Sequence, residues 1–400
     1  MLKVLHLNTY SWGGAAKASI RLHKALLKSG VQSKILFLEQ DDYNIPKSVC
    51  FKDYLASQKL FKKLLQKVKK RYKVYQQSNR LKAIDGNPNL FKFSYSPYRV
   101  ETHPLFQWAD IIHLHWVSDF INPLTFLREL KQPLFWTFHD LQAISGGYHY
   151  KSSIDLEQYN SLLKQNQAIN KLAFTDKKIY AICPSEWMLE EVRNRKVISR
   201  IELFHLLNGI DPTIFSPISK EVARDVLNLS MRKKIILFIA GNLFDQRKGL
   251  FYLLEAFSAL KNKNSQLVVV GNKYEHELPE AVHYLGNIRD ERLMRLVYAA
   301  ADVTVVPSLA DNLPNTALES ILCGTPLLAN RIGGLTEILN HKNGLLCDVQ
   351  KINEFSKKLE AMLEKKFDPT SIHQDAKALY SDSIQVKRLL PLYKKSLTDV

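Results

Sequence analysis

The chain has 400 residues, 46% of them hydrophobic, which is material for more than one core and a prior of roughly two to three domains. Its 56 Lys and Arg against 39 Asp and Glu give a net charge of +17, yet no helix-turn-helix, zinc-finger or RNP pattern accompanies that charge, so a nucleic-acid partner is not expected. No run approaches the ~20 consecutive apolar residues of a spanning helix. Cys50, Cys183, Cys323 and Cys347 are scattered without C-x-x-C pairing and read as reduced core cysteines rather than a disulfide or zinc framework.

The chain enters a strand at Lys3–Asn8 with no signal-peptide h-region before it, the start expected of a cytoplasmic protein. Gly13-Gly14-Ala15-Ala16 then turns tightly into a helix over Lys17–Lys28. From Lys59 to Lys73 eight basic residues occur with no acid. Leu60, Phe61, Leu64, Leu65, Val68, Tyr72 and Tyr75 form one apolar stripe among them. Two readings of Lys59–Tyr75 are open: a helix lying on an anionic membrane surface, and a domain helix with a solvated lysine face. Strands follow at Asp110–Trp116, Leu134–Phe138 and Ile179–Cys183. His113 and His115 alternate onto one strand face, but no third ligand stands at a suitable spacing, so they read as core or rim histidines and no metal is expected.

The Asn-Gly, Asp-Pro and Ser-Pro steps of Leu207–Pro217 mark a break between two halves. Beyond it, strands at Lys234–Gly241, Leu267–Gly271, Val303–Pro307 and Pro326–Asn330 alternate with helices at Gly249–Leu260, Asp290–Ala300, Thr316–Cys323 and Ile352–Leu363. Such alternation means parallel sheets in both halves, an α/β protein. A last amphipathic segment, Ser383–Leu397, is interrupted by Pro391.

The chemistry concentrates at strand ends. Asp311-Asn-Leu-Pro-Asn-Thr-Ala-Leu-Glu319 follows the buried strand Val303–Pro307, which places Asp311 and the amides of Asn312 and Leu313 where open α/β sheets bind ligands. Two carboxylates there can accept from sugar or ribose hydroxyls, or simply cap a helix. Arg247-Lys248 precedes the helix at Gly249, a poor place for cations unless they meet an anion such as a departing diphosphate. Gly14 permits close approach to a diphosphate or acceptor, or is a plain turn. His139 ends the strand Leu134–Phe138; it either hydrogen-bonds a sugar hydroxyl or caps through Asp140.

Taken in order from Gly13 to Gly334, these landmarks resemble the family 4 glycosyltransferases. The resemblance rests on Gly13-Gly14-Ala15, Asp110-Ile-Ile-His-Leu-His-Trp116, Trp136-Thr-Phe-His-Asp140, Pro184-Ser185, Asn208-Gly-Ile-Asp211, Arg247-Lys-Gly249, Tyr284-Leu-Gly286 and Gly333-Gly334. Asp311 and Glu319 stand for the family's E-x7-E signature, with Asp in the first place. The segment Thr137–Tyr150 is similar to the subgroup of colanic-acid-type exopolysaccharide transferases.

The resemblance implies a GT-B architecture, two Rossmann-like domains with parallel sheets facing a central cleft. The expected domains are 1–206 for the acceptor, 207–380 for the nucleotide-sugar, and 381–400 as a helix returning to the first domain. It implies retaining transfer without a metal or other cofactor. The donor would be a UDP- or GDP-linked sugar and the acceptor a glycan or lipid-linked oligosaccharide of surface polysaccharide biosynthesis. His139, Lys248 and Asp311 would be catalytic; Gly13, Gly14, Arg247, Asn312, Leu313 and Glu319 would bind substrate. The family's usual Arg after the first strand of this half is replaced by Asn242, and Arg247 supplies that charge instead. Pro314 stands where the family has glycine and offers no N–H. The competing classes are a GT-B sugar epimerase, whose landmark carboxylates and histidines are not recognisable, and a non-catalytic nucleic-acid- or membrane-binding relative, expected to lack Lys248 or Glu319.

Overall fold

A computed structural model describes residues 1–57, 76–77, 79–82, 90–151, 154–261 and 264–399. They divide into two compact units, one of Met1–Leu207 with Gln385–Val400, the other of Asn208–Ile384. The basic stretch Lys59–Tyr75 lies outside the described residues. Among the described residues no helix is long and apolar enough to cross a membrane.

The first unit is built on strands β1 (Lys3–Tyr10), β2 (Gln32–Glu39), β3 (Ser48–Cys50), β4 (Ile111–Leu114), β5 (Leu134–Thr137), β6 (Ile179–Cys183) and β7 (Ile201–His205). They form one sheet in the order β3-β2-β1-β4-β5-β6-β7, and each neighbouring pair is parallel. The order reverses between β1 and β4, the position at which such sheets open a crevice at their C-terminal edge. Side chains alternate across the sheet. Leu5, Leu7, Ile112, Leu114 and Trp136 face one core with Phe126 and Phe174. Val4, Ile111, Phe135 and Tyr180 face the other, which is closed by Leu22 and Leu26 of the helix Gly14–Lys28 and by Val386, Leu389 and Tyr393 of the helix Asp382–Ser396.

That last helix runs through Pro391 without a break, where the sequence points to an interruption. A proline inside a helix costs about 3 kcal/mol. Burying side chains such as Val386 and Leu389 returns roughly 1.5–3 kcal/mol each, so packing outweighs the lost hydrogen bond.

The second unit carries β8 (Lys234–Asn242), β9 (Ser265–Asn272), β10 (Val282–Tyr284), β11 (Val303–Val306), β12 (Leu327–Asn330) and β13 (Gly344–Cys347). Their order is β10-β9-β8-β11-β12-β13, again all parallel, with the reversal between β8 and β11. An ion pair between buried Arg224 and partly buried Asp302 fastens the N-terminal ends of those two strands. Asp302 accepts from the Ile235 amide at 2.7 Å and from Arg224 Nη2 at 2.7 Å, while Arg224 Nε donates to the Ala300 carbonyl at 2.9 Å. All four cysteines are buried and unbridged.

Candidate active site

In the second unit the expected residues gather at the C-terminal end of β11. After β8 the chain makes a 3-10 turn, Gln246–Lys248, capped by Asp245, which accepts from the Arg247 amide at 3.0 Å. Gly249 follows with φ of 79° and leads into the helix Leu250–Ser258. A Cβ at Gly249 would stand 2.2 Å from the Pro307 carbonyl oxygen, so only glycine lets this turn press against the end of β11. The Leu309 amide then donates to the Arg247 carbonyl at 2.7 Å. Two loops distant in sequence are thereby stitched into one wall.

Side chains complete the join. Lys248 Nζ lies 2.5 Å from Asp311 Oδ2, and Arg247 Nη1 lies 3.6 Å from the same oxygen. Arg247 also donates to the Ala310 carbonyl at 2.9 Å and pairs with Asp245 at 3.1 Å. These acceptors explain how two cations tolerate a helix start. Burial pushes the Asp311 carboxyl upward, but the Lys248 and Arg247 charges overcome it and hold the group below its ordinary range. It is therefore a carboxylate at neutral pH.

The loop beyond is held from behind. At Gly333, φ is 45° and a Cβ would stand 2.0 Å from the Asp311 carbonyl oxygen. The Gly334 amide donates to the Asn312 carbonyl at 2.6 Å. Asn312 and Leu313 are buried, and the Asn312 amide donates to Asp311 Oδ1 at 3.1 Å. Pro314 sits immediately before the helix Asn315–Leu322. Glu319, on that helix, is 2% exposed and accepts from the Tyr298 hydroxyl at 2.7 Å.

In the first unit the features stand at the C-terminal ends of β1, β4 and β5. Gly13 and Gly14 are exposed, and Gly14 opens the helix Gly14–Lys28, which has no side-chain cap at Gly13. His139 Nε2 lies 3.2 Å from His115 Nδ1. Asp140 takes other partners: His149 Nδ1 at 2.7 Å, Trp116 Nε1 at 3.1 Å and the Gln142 amide at 2.9 Å. Burial lowers the His139 pKa to about 4, against a smaller opposing pull from Asp140. Its ring is neutral at pH 7, suited to hydrogen bonding rather than to carrying charge.

Two features of the first unit have no local pattern in the sequence. His6 of β1 is in register with His113 of β4 and joins it and His115 as the third histidine that spacing alone did not reveal. The second is a ladder of stacked rings at the switch point: Tyr10 on Trp12 at 4.7 Å, Tyr10 on Trp116 at 5.7 Å, and Trp116 on His149 at 5.8 Å, measured between centroids. Trp12 is 43% exposed. In the sequence its aromatics cluster at two predicted strand ends, Tyr10 and Trp12 after Lys3–Asn8 and Trp116 as the last residue of Asp110–Trp116.

Residues 233–365 match the model of the family described as glycosyl transferases group 1. An uncharacterized glycosyltransferase of Methanocaldococcus jannaschii is 28% identical over 255 residues, 59% of this chain and 61% of that protein. A D-inositol 3-phosphate glycosyltransferase of Mycolicibacterium smegmatis is 27% identical over 312 residues, 73% of this chain and 68% of the relative. The first of these alignments spans less than two thirds of the relative's own length. Among solved structures, sucrose-phosphate synthase from Thermosynechococcus elongatus superposes with a TM-score of 0.73 at 18% identity, covering 100% of both chains. HepE of Anabaena, solved with UDP and glucose, gives 0.68 at 14% identity over 98% of this chain and 100% of that one. Residues 233–365 thus carry the glycosyl transferases group 1 pattern, on a chain whose paired Rossmann-like sheets are of the GT-B class.

Proposed function

We propose that the chain is a retaining glycosyltransferase that moves a sugar from a nucleotide-sugar to a hydroxyl of a glycan or lipid-linked acceptor in surface polysaccharide biosynthesis. The observation that carries this reading is the convergence of Lys248 and Arg247 on Asp311 at the end of β11. Two fixed cations beside a strand end neutralise charge that develops on a leaving diphosphate, where transition-state stabilisation is most effective. They supply the charge that a divalent ion provides in other transferases, and the proposed reaction is metal-independent for that reason.

Transfer proceeds by front-face displacement. As the bond from the sugar's anomeric carbon to the diphosphate oxygen breaks, Lys248 and Arg247 take up the charge on that oxygen. The acceptor oxygen bonds to the anomeric carbon from the same face, and its proton passes to the departing phosphate oxygen. Asp311, a carboxylate, orients Lys248 and faces positive charge growing on the sugar ring. Asn312 and Leu313 hold the loop and the donor sugar, and Glu319 the ribose. His139 binds a donor-sugar hydroxyl through a neutral ring. Gly13 and Gly14 leave backbone room for substrate. Trp12, at the exposed end of the ladder, offers an aromatic face on which the C–H side of an acceptor sugar ring packs. The donor is UDP-linked or GDP-linked; the UDP seen in HepE favours the former.

A panel of UDP- and GDP-sugars, assayed for nucleotide release with EDTA present, tests the reading. One donor is expected to turn over at an unchanged rate in chelator, and NMR of the product is expected to show the donor's anomeric configuration. Inverted product, or turnover abolished by EDTA and restored by a divalent ion, would refute the mechanism.

A further inference from the structure

Four histidines meet inside the first unit: His6 on β1, His23 on the helix Gly14–Lys28, His113 on β4 and His115 just after it. Ring centroids lie 5.3 Å apart for His6 with His113 and for His6 with His115, 4.5 Å for His113 with His115, and 6.0 Å for His6 with His23. All four are buried, none more than 3% exposed. The charged or titratable groups that face them are Lys24 beside His23, Tyr393 against His113, and His139 against His113 and His115. No carboxylate pairs with any of the four among the described residues.

Their hydrogen bonds are those of neutral rings. His23 Nε2 lies 2.6 Å from the Pro46 carbonyl oxygen, which only accepts, so Nε2 carries the proton and Nδ1 accepts from the Ser33 hydroxyl at 2.6 Å. His6 Nδ1 and His115 Nε2 stand 3.0 Å apart, so one of the two is a lone pair. A proton added to either ring leaves His6 with an N–H at Nε2, which is buried and has no hydrogen-bond partner among the described residues. Orphaned buried N–H groups are rare because they are costly. His113 meets the Tyr393 hydroxyl through Nδ1 at 2.5 Å and the Thr137 hydroxyl through Nε2 at 2.8 Å. While that ring is neutral, one hydroxyl donates and the other accepts. A second ring proton would force both to accept and strand the donor.

Burial works in the same direction. It lowers the His23 pKa to about 4 and that of His113 to about 3, and with the neighbouring rings it holds His6 and His115 well below the ordinary range. A metal bound by His6, His113 and His115 is the competing use of the cluster, since their ligand atoms lie within 4.8 Å of one another. It would have to take a nitrogen of His113 from Tyr393 or Thr137. The rings of His113 and His115 are also stacked at 18°, so their in-plane lone pairs run side by side rather than converging on one point.

We propose that this four-histidine cluster is an acid-sensitive fastening of the first unit, closed while the rings are neutral and released when they take up protons. It ties β1 to β4 and both to the helices Gly14–Lys28 and Asp382–Ser396, the second through Tyr393. The direction follows from linkage. An unfolded histidine titrates near 6.5, and the folded rings titrate lower. Their contribution to stability is complete above pH ~6.5 and is lost as pH falls toward the folded values, because the unfolded chain binds protons that the folded one refuses. In that window each ring raises the unfolding constant by up to about tenfold per pH unit, and the four act together. The crevice at β1 and β4 is lost with the fastening.

All five tryptophans, Trp12, Trp108, Trp116, Trp136 and Trp187, belong to the first unit. Urea unfolding of the full chain followed by tryptophan fluorescence therefore reads that unit. Its unfolding constant is expected to rise by roughly 10³-fold from pH 6.5 to 5.5, against about tenfold from pH 7.5 to 6.5. His23→Gln keeps an amide donor for Pro46 and a carbonyl acceptor for Ser33 but does not titrate, so its acid rise should be smaller by about fivefold. If that variant does not fold, nitrogen NMR of the wild type labelled with 15N-histidine decides: the four rings are expected to be neutral in the folded chain at pH 6.0. A rise of about tenfold or less from pH 6.5 to 5.5 would overturn the proposal. So would an equal rise in folded His23→Gln, rings that become charged in the folded chain near pH 6.5, or stoichiometric zinc that is lost in His6→Phe.

Discussion

Lys248→Ala is expected to lower kcat by ~10²-fold or more, the loss seen when a preorganised partner of transition-state charge is removed. The ammonium stands 2.5 Å from Asp311, whereas the Arg247 guanidinium is 3.6 Å away and already committed to Asp245 and the Ala310 carbonyl. Arg247 is thus poorly placed to substitute. Lys248→Arg should recover little, because a planar fork does not replace a compact, mobile ammonium. The turn itself should survive both changes, since Asp245 and Gly249 hold it through the backbone. Steady-state kinetics at saturating donor check the expectation, and near-normal turnover in the alanine variant would remove Lys248 from the mechanism.

Asp311 should prove equally intolerant, and in a more particular way. Its carbonyl is fixed by the close approach of Gly333, and its carboxylate already touches Lys248. A glutamate adds about one carbon–carbon bond, roughly 1.5 Å, which would press its carboxylate into the ammonium that Asp311 already touches. Asp311→Glu is therefore expected to reduce activity, although glutamate is the usual residue of the resembled family at this place. Asp311→Asn preserves size and removes charge. It should lower kcat by more than it raises donor Kd, the pattern of an interaction made chiefly in the transition state. Kinetics of both variants beside donor titration decide the matter: a glutamate variant as active as the parent, with an asparagine variant unchanged in both constants, would reduce Asp311 to a structural acid.

Much of this arrangement is legible in the sequence because its elements are long and buried. Ile235–Ala240 and Val303–Val306 are short, largely apolar runs rich in β-branched residues, the pattern of interior strands of a parallel sheet, and the turn residues after them announce where a site would form. The edge strands are harder to see. Ser48–Cys50 and Val282–Tyr284 are three residues each, and Ile201–His205 is half-buried throughout, so none shows a periodicity of its own. The contact between Lys248 and Asp311 is a product of sheet order, β8 lying beside β11, and no local pattern contains it. His6 escaped for the same reason. Its partners sit on and just after a strand more than a hundred residues away, brought alongside by the pairing of β1 with β4. Spacing along the chain finds ligands on one strand or helix; it is blind to neighbours across a ladder. Proline at 391 misled in the opposite sense, because a local rule was overridden by packing.

A nucleotide diphosphate is expected to settle against the wall made by Lys248 and the Asp311 loop. Amide hydrogen exchange of the full chain, with and without saturating UDP, measures this most directly, because a ligand protects the backbone it orders. Slowed exchange is expected in the segments holding Arg247–Gly249 and Ser308–Glu319, and the effect should weaken in Lys248→Ala. Protection confined to other segments, with these two unchanged while UDP is bound, would contradict it.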